Sequence, residues 1–475
     1  MFFRRAKNIN LKSFLPYLDT RSIVVFRALL GVVILLDLFV NKWPNILYFY
    51  TESGIYLSEH LDLAIQYNPY RAIQKIGLLS FITSVAHVKG IFLLAGAATI
   101  SYAVGFKPKW SGVIVFILLF SIQQRNPYVL SGPDELLISL LAWSLFLPIG
   151  NENFTNSNDK VVSIASVGLI TQIALIYFYN ADLKNGFVWQ NGEGLSYALM
   201  EDLWTKSSAD FLVQFPTLCR WLSQGTVVLE YAIPLLILIP YKRELMRFLA
   251  VIGLIVLHGT IFSFLSLGLF PLIAAAIIIV IMPTSFWDRV LKKRVKKEIQ
   301  NESKYISHRI TNVISACFLV LVFWKAILSH NHGENNVYHP TFMKYLNETA
   351  LFRQYWAMYA PNPTLEPAWY KTTVLTVQSE FLDVKTELPH KDDLTYISEY
   401  KNYTWSLFFY WAYVYPDYLS STMIQRWANI EKAEWDEAHP QNRAFNIYIF
   451  AYKKKITSAV STTTPTKQTI AISKQ

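Results

Sequence analysis

The stretch IVVFRALLGVVILLDLFV, residues 23–40, decides how the rest of the chain is read. Only Arg27 and Asp37 interrupt its apolar character. It is longer than the apolar core of a secretory signal, and no small-residue cleavage site follows it. It approaches the roughly 20 residues that a helix needs to cross the hydrocarbon of a bilayer. It therefore reads as a retained membrane helix, and eight further runs repeat the pattern. The expected spans lie at about 22–41, 86–105, 111–127, 134–149, 162–180, 223–240, 246–265, 267–284 and 311–329. The seventh and eighth share one apolar block. Within it, SFLSLGLFP places a hinge at Gly268 and Pro271.

Composition agrees. The 475 residues are 53% hydrophobic and only 16% charged, too apolar for an ordinary soluble chain. The net charge of +10 raises nucleic acid as a partner. The basic residues, however, gather between apolar runs, as in VLKKRVKKEIQNESK, residues 290–304. That pattern orients membrane helices and does not make a nucleic-acid groove. With nine spans, four basic groups share one side: Arg4 to Lys12, Lys107 with Lys109, Lys242 to Arg247, and Arg289 to Lys297. The positive-inside rule makes that side the cytoplasm. The N-terminus is then cytoplasmic. Lys184 and everything after about residue 330 are extracytoplasmic. Cys219, read in a loop, and Cys317, in an apolar run, form neither a disulfide framework nor a metal site.

The expected fold is an all-α polytopic membrane bundle of about nine transmembrane helices with a small α+β extracytoplasmic domain. Residues 1–21 are the cytoplasmic start, 22–330 the membrane domain, 331–456 the outer domain and 457–475 a Thr/Ser-rich disordered tail. Period-two alternation in YKTTVLTVQSEF (370–381) and FNIYIFAYKKKI (445–456) predicts strands. LSSTMIQRWANIEKAEWDEA (419–438) reads as an amphipathic helix.

Polar residues inside apolar runs carry the functional information, because a charge in hydrocarbon needs a partner or a wet cavity. Arg27 and Asp37 are ten residues apart, about 15 Å of helix. They cannot pair with each other and should each meet another helix. In QQRNPYVLSGPDELL (123–137), Asp134 is placed to N-cap the next helix, and Arg125 either braces the turn or faces a cavity and binds an anion or carbonyl. Glu230 lies four residues before Pro234, and His258 lies within VLHGTIFSF. Lys184 sits in FYNADLKNGFVW (178–189), at the end of the fifth run. One reading has it snorkel to water. In the other, the aromatic segment around Trp189 folds back as a lid. Burial then disfavours the ammonium, and the neutral amine serves as a base.

Six segments, in order, resemble the HTTM family of membrane domains, which includes vitamin K-dependent gamma-carboxylase: FRALLGVVILLDLF, RNPYVLSGPDELL, YFYNADLKNGFVWQNGEGLSYAL, LEYAIPLL, HGTIFSFLSLGLF and QYWAMYAPNP. The resemblance places Lys184 on the carboxylase base and His258 on a required histidine. Leu183, Ile261 and Asn126 stand where the carboxylases have lysine, asparagine and a second histidine. The part after the last span is much shorter than in the animal enzymes, and Cys219 and Cys317 are not placed for their disulfide.

The implied cofactor is a reduced vitamin K or menaquinol, with O2 and CO2 as co-substrates. The implied reaction is quinol oxygenation to an epoxide, with carboxylation of a peptide or protein acceptor as a further step. Arg125, Asn126, Glu230 and Trp189 are the candidates for holding the quinol, with Lys184 and His258 as catalytic candidates. A non-catalytic membrane protein that binds a lipid or assists maturation or export of a partner is the alternative. A transporter is weaker, since neither an internal repeat nor paired broken spans are visible.

Overall fold

A computed structural model describes residues 15–473, except 83, 148–159, 292–303, 306–308, 331–339, 354–355, 392–402, 415–417 and 460. Part of the basic segment Arg289 to Lys297 and the first two residues of QYWAMYAPNP lie outside the described residues. The chain is a multi-pass, largely α-helical membrane protein. Its principal helices are α1 (Thr20–Leu36), α2 (Val85–Val104), α3 (Pro108–Arg125), α4 (Gly132–Phe146), α5 (Ile164–Asp182), α6 (Pro216–Leu238), α7 (Arg243–Phe264), α8 (Phe270–Val280), α9 (Thr284–Val290) and α10 (Arg309–His330).

The expectation of nine spans is corrected. Among the described residues, six helices are long and apolar enough to cross a membrane, or up to seven if the bent pair α8–α9 is one span. The six are the continuous helical segment Thr20–Tyr50, α2, α5, α6, α7 and Arg309–Ile327 of α10. The expected spans at 111–127 and 134–149 fail, and the one at 267–284 is broken, for three different reasons. Helix α3 is polar at both ends, with Lys109 at its start and Gln123, Gln124 and Arg125 at its finish. Helix α4 has 15 residues, about 22 Å, short of a bilayer's roughly 30 Å. Every residue from Pro133 to Ser144 is buried inside the protein. Helices α8 and α9 meet at 90°. The lipid-facing surface is instead made by outward residues of the long helices, among them Leu93, Leu94, Val228, Leu235, Ile255, Val256 and Val320.

One end of the bundle is tied by three short strands. Leu18–Asp19, Lys160–Val162 and Lys304–Tyr305 form a small sheet. Buried Arg21 there bonds Asp19 at 2.8 Å and Asp288 at 2.9 Å. The Tyr17 hydroxyl donates to Glu244, and Ser285 N–H bonds the same carboxylate at 3.0 Å. Ser163 caps α5 beside this sheet, so the far end of α5, where Lys184 follows, lies at the other end of the bundle.

That other end carries a small β-rich region. Strands β1 (Ala368–Thr376), β2 (Phe381–Asp383), β3 (Ala444–Lys453) and β4 (Thr466–Ile472) form an antiparallel sheet in the order β2-β1-β3-β4. The helices α11 (Tyr403–Val414) and α12 (Tyr418–Ala438) accompany it. Trp427 of α12 is fully buried against Trp405 and Phe409 of α11. The expected disordered tail is corrected here, because Thr466–Ile472 is the edge strand paired with β3.

The hinge at Gly268 has a physical basis. Its φ is +57°, a left-handed value that L side chains rarely adopt, and a Cβ there would fall 2.6 Å from the Tyr403 ring. Cys219 lies within α6 and is buried, not in a loop.

Candidate functional site

The last two turns of α5 and the residues just after it present Tyr177, Asn180 and Lys184 at spacings of three and four, which place them on one helical face. Lys184 still bonds back into that turn, its N–H meeting the Ala181 carbonyl at 3.1 Å. Helix α6 packs beside α5 and supplies Glu230. The Lys184 ammonium donates to both carboxylate oxygens of Glu230, at 2.7 and 3.0 Å, and to the Asn180 carbonyl at 3.3 Å. The Asn180 amide donates to Glu230 Oε1 at 2.5 Å. The Trp189 ring centroid lies 5.2 Å from Lys184 Nζ. Lys184 is 7% exposed and Glu230 4%. Lys184 therefore does not point into bulk water. It ends in a closed, charge-assisted network against an indole face.

The network is capped by a stretch that follows the last membrane helix. Met358 N–H bonds Asn180 Oδ1 at 3.0 Å, the Trp189 indole donates to the Tyr359 carbonyl at 2.7 Å, and Val188 N–H bonds Asn362 Oδ1 at 2.9 Å. Gly186 N–H meets the Pro361 carbonyl at 3.0 Å. Gly186 is required by close approach, since a Cβ would fall 2.3 Å from both Asn362 Oδ1 and the Pro361 carbonyl. A second tie lies beside it. Buried Glu201 accepts the Thr364 N–H at 2.6 Å, and burial pushes its carboxyl up to about 7. Burial also holds the Tyr359 hydroxyl well above its ordinary value.

No family model, curated protein or solved structure matches this chain. The chemistry rests on the site's own geometry. Among the described residues, no group of three or more His, Cys, Asp or Glu side chains is placed to hold a metal ion.

The six sequence candidates separate into three groups. Lys184, Glu230 and Trp189 converge. His258 stands apart from them and deeper, its Nε2 sharing a 2.8 Å hydrogen bond with the Tyr177 hydroxyl. Tyr177 precedes Lys184 by seven residues, about 10 Å of helix. His258 Nδ1 is buried without a hydrogen-bond partner among the described residues, and the ring lies edge-on to Phe270 at 5.2 Å. Arg125 and Asn126 use their polar atoms elsewhere. Arg125 bonds Glu52 at 2.8 Å and the Tyr56 carbonyl at 3.1 Å. Asn126 Oδ1 accepts the Tyr128 N–H at 3.0 Å, and its amide reaches the Phe49 carbonyl at 3.3 Å. Among the described residues, no hydrogen bond links either one to the lysine network.

The sequence reading missed Asn180, Tyr177 and the cap Met358–Asn362. The spacing of Tyr177 and Asn180 to Lys184 was a usable signal. The cap lies 170 residues or more from its partners, so no local pattern announces it. Asp134 is also corrected. It is the third residue of α4, and Ser131 is the cap, in a reciprocal capping box.

Proposed function

We propose that this chain is a membrane enzyme that uses Lys184 as a base toward a reduced isoprenoid quinol, as its resemblance to the HTTM carboxylases implies. The observation that carries the reading is the burial of Lys184 against Glu230, Asn180 and Trp189 at one end of the membrane bundle. Two opposite charges removed from water are costly to keep, and a proton can pass along a 2.7 Å hydrogen bond from Nζ to Glu230. The resulting amine is uncharged and can accept a proton. Glu230 then acts as its proton partner, and Asn180 holds Glu230 in place.

The residues fit the quinol. An aromatic ring with an ionisable hydroxyl suits an amine beside the Trp189 face, and the unpartnered Nδ1 of His258 on α7, bonded through Nε2 to Tyr177 of α5, is a further polar atom deeper in the bundle. Val228 and Leu235 on the outward side of α6 are exposed to lipid, from which an isoprenoid tail would approach. When bound, the quinol supplies electrons for O2 and an acidic hydroxyl. The chain's part is to remove that hydroxyl proton at Nζ and to exclude water. The Met358–Asn362 cap performs the exclusion, and its displacement admits the ring. The acceptor for any carboxylation would meet the β-rich region on the same side. The end bearing Arg21, Lys160 and Arg243 faces the cytoplasm in this reading, and the cap and β-rich region face outward.

The test is quinol-dependent epoxide formation by the full chain in lipid nanodiscs, supplied with reduced vitamin K or menaquinol and O2. Wild-type protein forms epoxide, and Lys184→Ala loses it. Equal yields from the two remove Lys184 from the chemistry and leave the non-catalytic lipid-binding reading.

A further inference from the structure

A second buried charge group lies outside this site. The backbone from Asp37 to Lys42 is a π-helix, whose wider turn stacks residue i over residue i+5. It brings the Lys42 ammonium to Asp37 Oδ1 at 2.5 Å, and the same ammonium reaches Asp134 Oδ1 of α4 at 2.7 Å. All three side chains are less than one-tenth exposed. The partner of Asp37 is therefore five residues along its own chain, with Asp134 on a second helix sharing it.

The charge count is uneven: two carboxylates face one ammonium. The other titratable groups facing them, Tyr50 and Tyr403, are neutral hydroxyls. One negative charge is left without a counter-charge in the interior of a membrane protein, where a lone ion is costly. The two carboxylates are not equivalent. Asp134 is fully engaged, because its Oδ2 accepts the Ser131 N–H at 3.0 Å and the Ser131 hydroxyl at 2.7 Å. Asp37 Oδ2 is buried with the Asn41 side chain beside it but no hydrogen bond of normal geometry among the described residues, and the Tyr50 hydroxyl is buried without one. Asp37, Asn41, Lys42 and Asp134 line a cavity of about 10 Å³ together with Tyr403 and Thr404 of α11. That volume is close to the least that admits one water.

We propose that Asp37, Lys42 and Asp134 form a proton-binding site that holds one exchangeable proton on Asp37 Oδ2. Asp134 remains the anion that pairs with Lys42. A proton from solvent forms the O–H bond on Oδ2, and the group passes from a net charge of −1 to zero. The exchange route is the water-sized cavity lined by Tyr403 and Thr404 of α11. The site stands independently of the role of Lys184.

Infrared spectroscopy of the full chain in lipid nanodiscs, with and without ¹³C-labelled aspartate, tests this. Wild-type protein shows a protonated-carboxyl C=O band that moves with the aspartate label, shifts in D2O and fades as pH is raised. Asp37→Asn removes the band. Asp62→Asn, which alters an exposed carboxylate paired with Lys75, keeps it. The absence of any label-sensitive band in the wild-type protein overturns the proposal even where Asp37→Asn does not fold. So does a band that survives in Asp37→Asn. A band that responds to sodium and not to pH overturns it in favour of a cation site.

Discussion

Removing one partner of the Lys184–Glu230 pair leaves the other charge buried, and this can be measured. In Lys184→Met, Glu230 keeps the Asn180 amide at 2.5 Å but loses both bonds to Nζ. In Glu230→Leu, Lys184 keeps only the Asn180 carbonyl at 3.3 Å and the Trp189 face. Breaking a buried pair in this way costs about 3–5 kcal/mol. Lys184→Met should fall near the lower end, because the Asn180 donor persists. Glu230→Leu should fall near the upper end. The double variant removes both charges and supplies apolar volume, so its stability should return to within about 1 kcal/mol of wild type. The assay is denaturant unfolding of the four proteins in one detergent, analysed as a double-mutant cycle. Losses that simply add, or single variants that each lose less than about 1 kcal/mol, would mean that the two groups are already hydrated. The proposed base would then have no shelter.

Two further outcomes follow from the cap. Gly186→Ala forces a Cβ against Asn362 Oδ1 and the Pro361 carbonyl at 2.3 Å, so residues 357–364 should lose hydrogen-exchange protection, with a global cost of about 1–3 kcal/mol; unchanged protection refutes the docking. Glu201 gives the cap a pH dependence. Its folded value, raised by burial to about 7 from an ordinary 4.5, means that the unfolded chain ionises first as pH rises. The stabilisation is complete below about pH 4.5 and is lost as pH climbs through about 7, a change of about 3 kcal/mol. Unfolding measured from pH 5 to pH 8 should show that loss, and Glu201→Gln should abolish the part of the slope that Glu201 contributes.

The apolar runs that make the bundle were legible in the sequence because hydrocarbon tolerates little else. What hydropathy could not separate was apolar surface facing lipid from apolar surface facing protein. Helix α4 reads like a span, yet its residues from Pro133 to Ser144 are enclosed by other helices. Lys184 and Glu230 stood out as charges in apolar runs, and each is the other's partner across 46 residues. Lys42 did not stand out. It follows an apolar run, where a lysine normally reaches water, and only the π-turn carries it inward to Asp37. Thr466–Ile472 hid in the same way, since a Thr-rich edge strand has the composition of a disordered tail and gains its order from pairing with β3.

These cases share one cause. Each charge or polar strand is placed by a partner outside its own apolar run or strand, Lys42 by Asp134 as well as by its local turn to Asp37, and both buried charge groups lie where membrane helices meet the region that follows them. Asn180 and Trp189 are held by Met358 and Tyr359, while Tyr403 and Thr404 close the cavity beside Asp37 and Lys42. Neither group could stay dry if the chain ended with its last membrane helix. The β-rich region therefore completes the membrane domain's interior, and loosening it should expose both the amine and the carboxylates to water together.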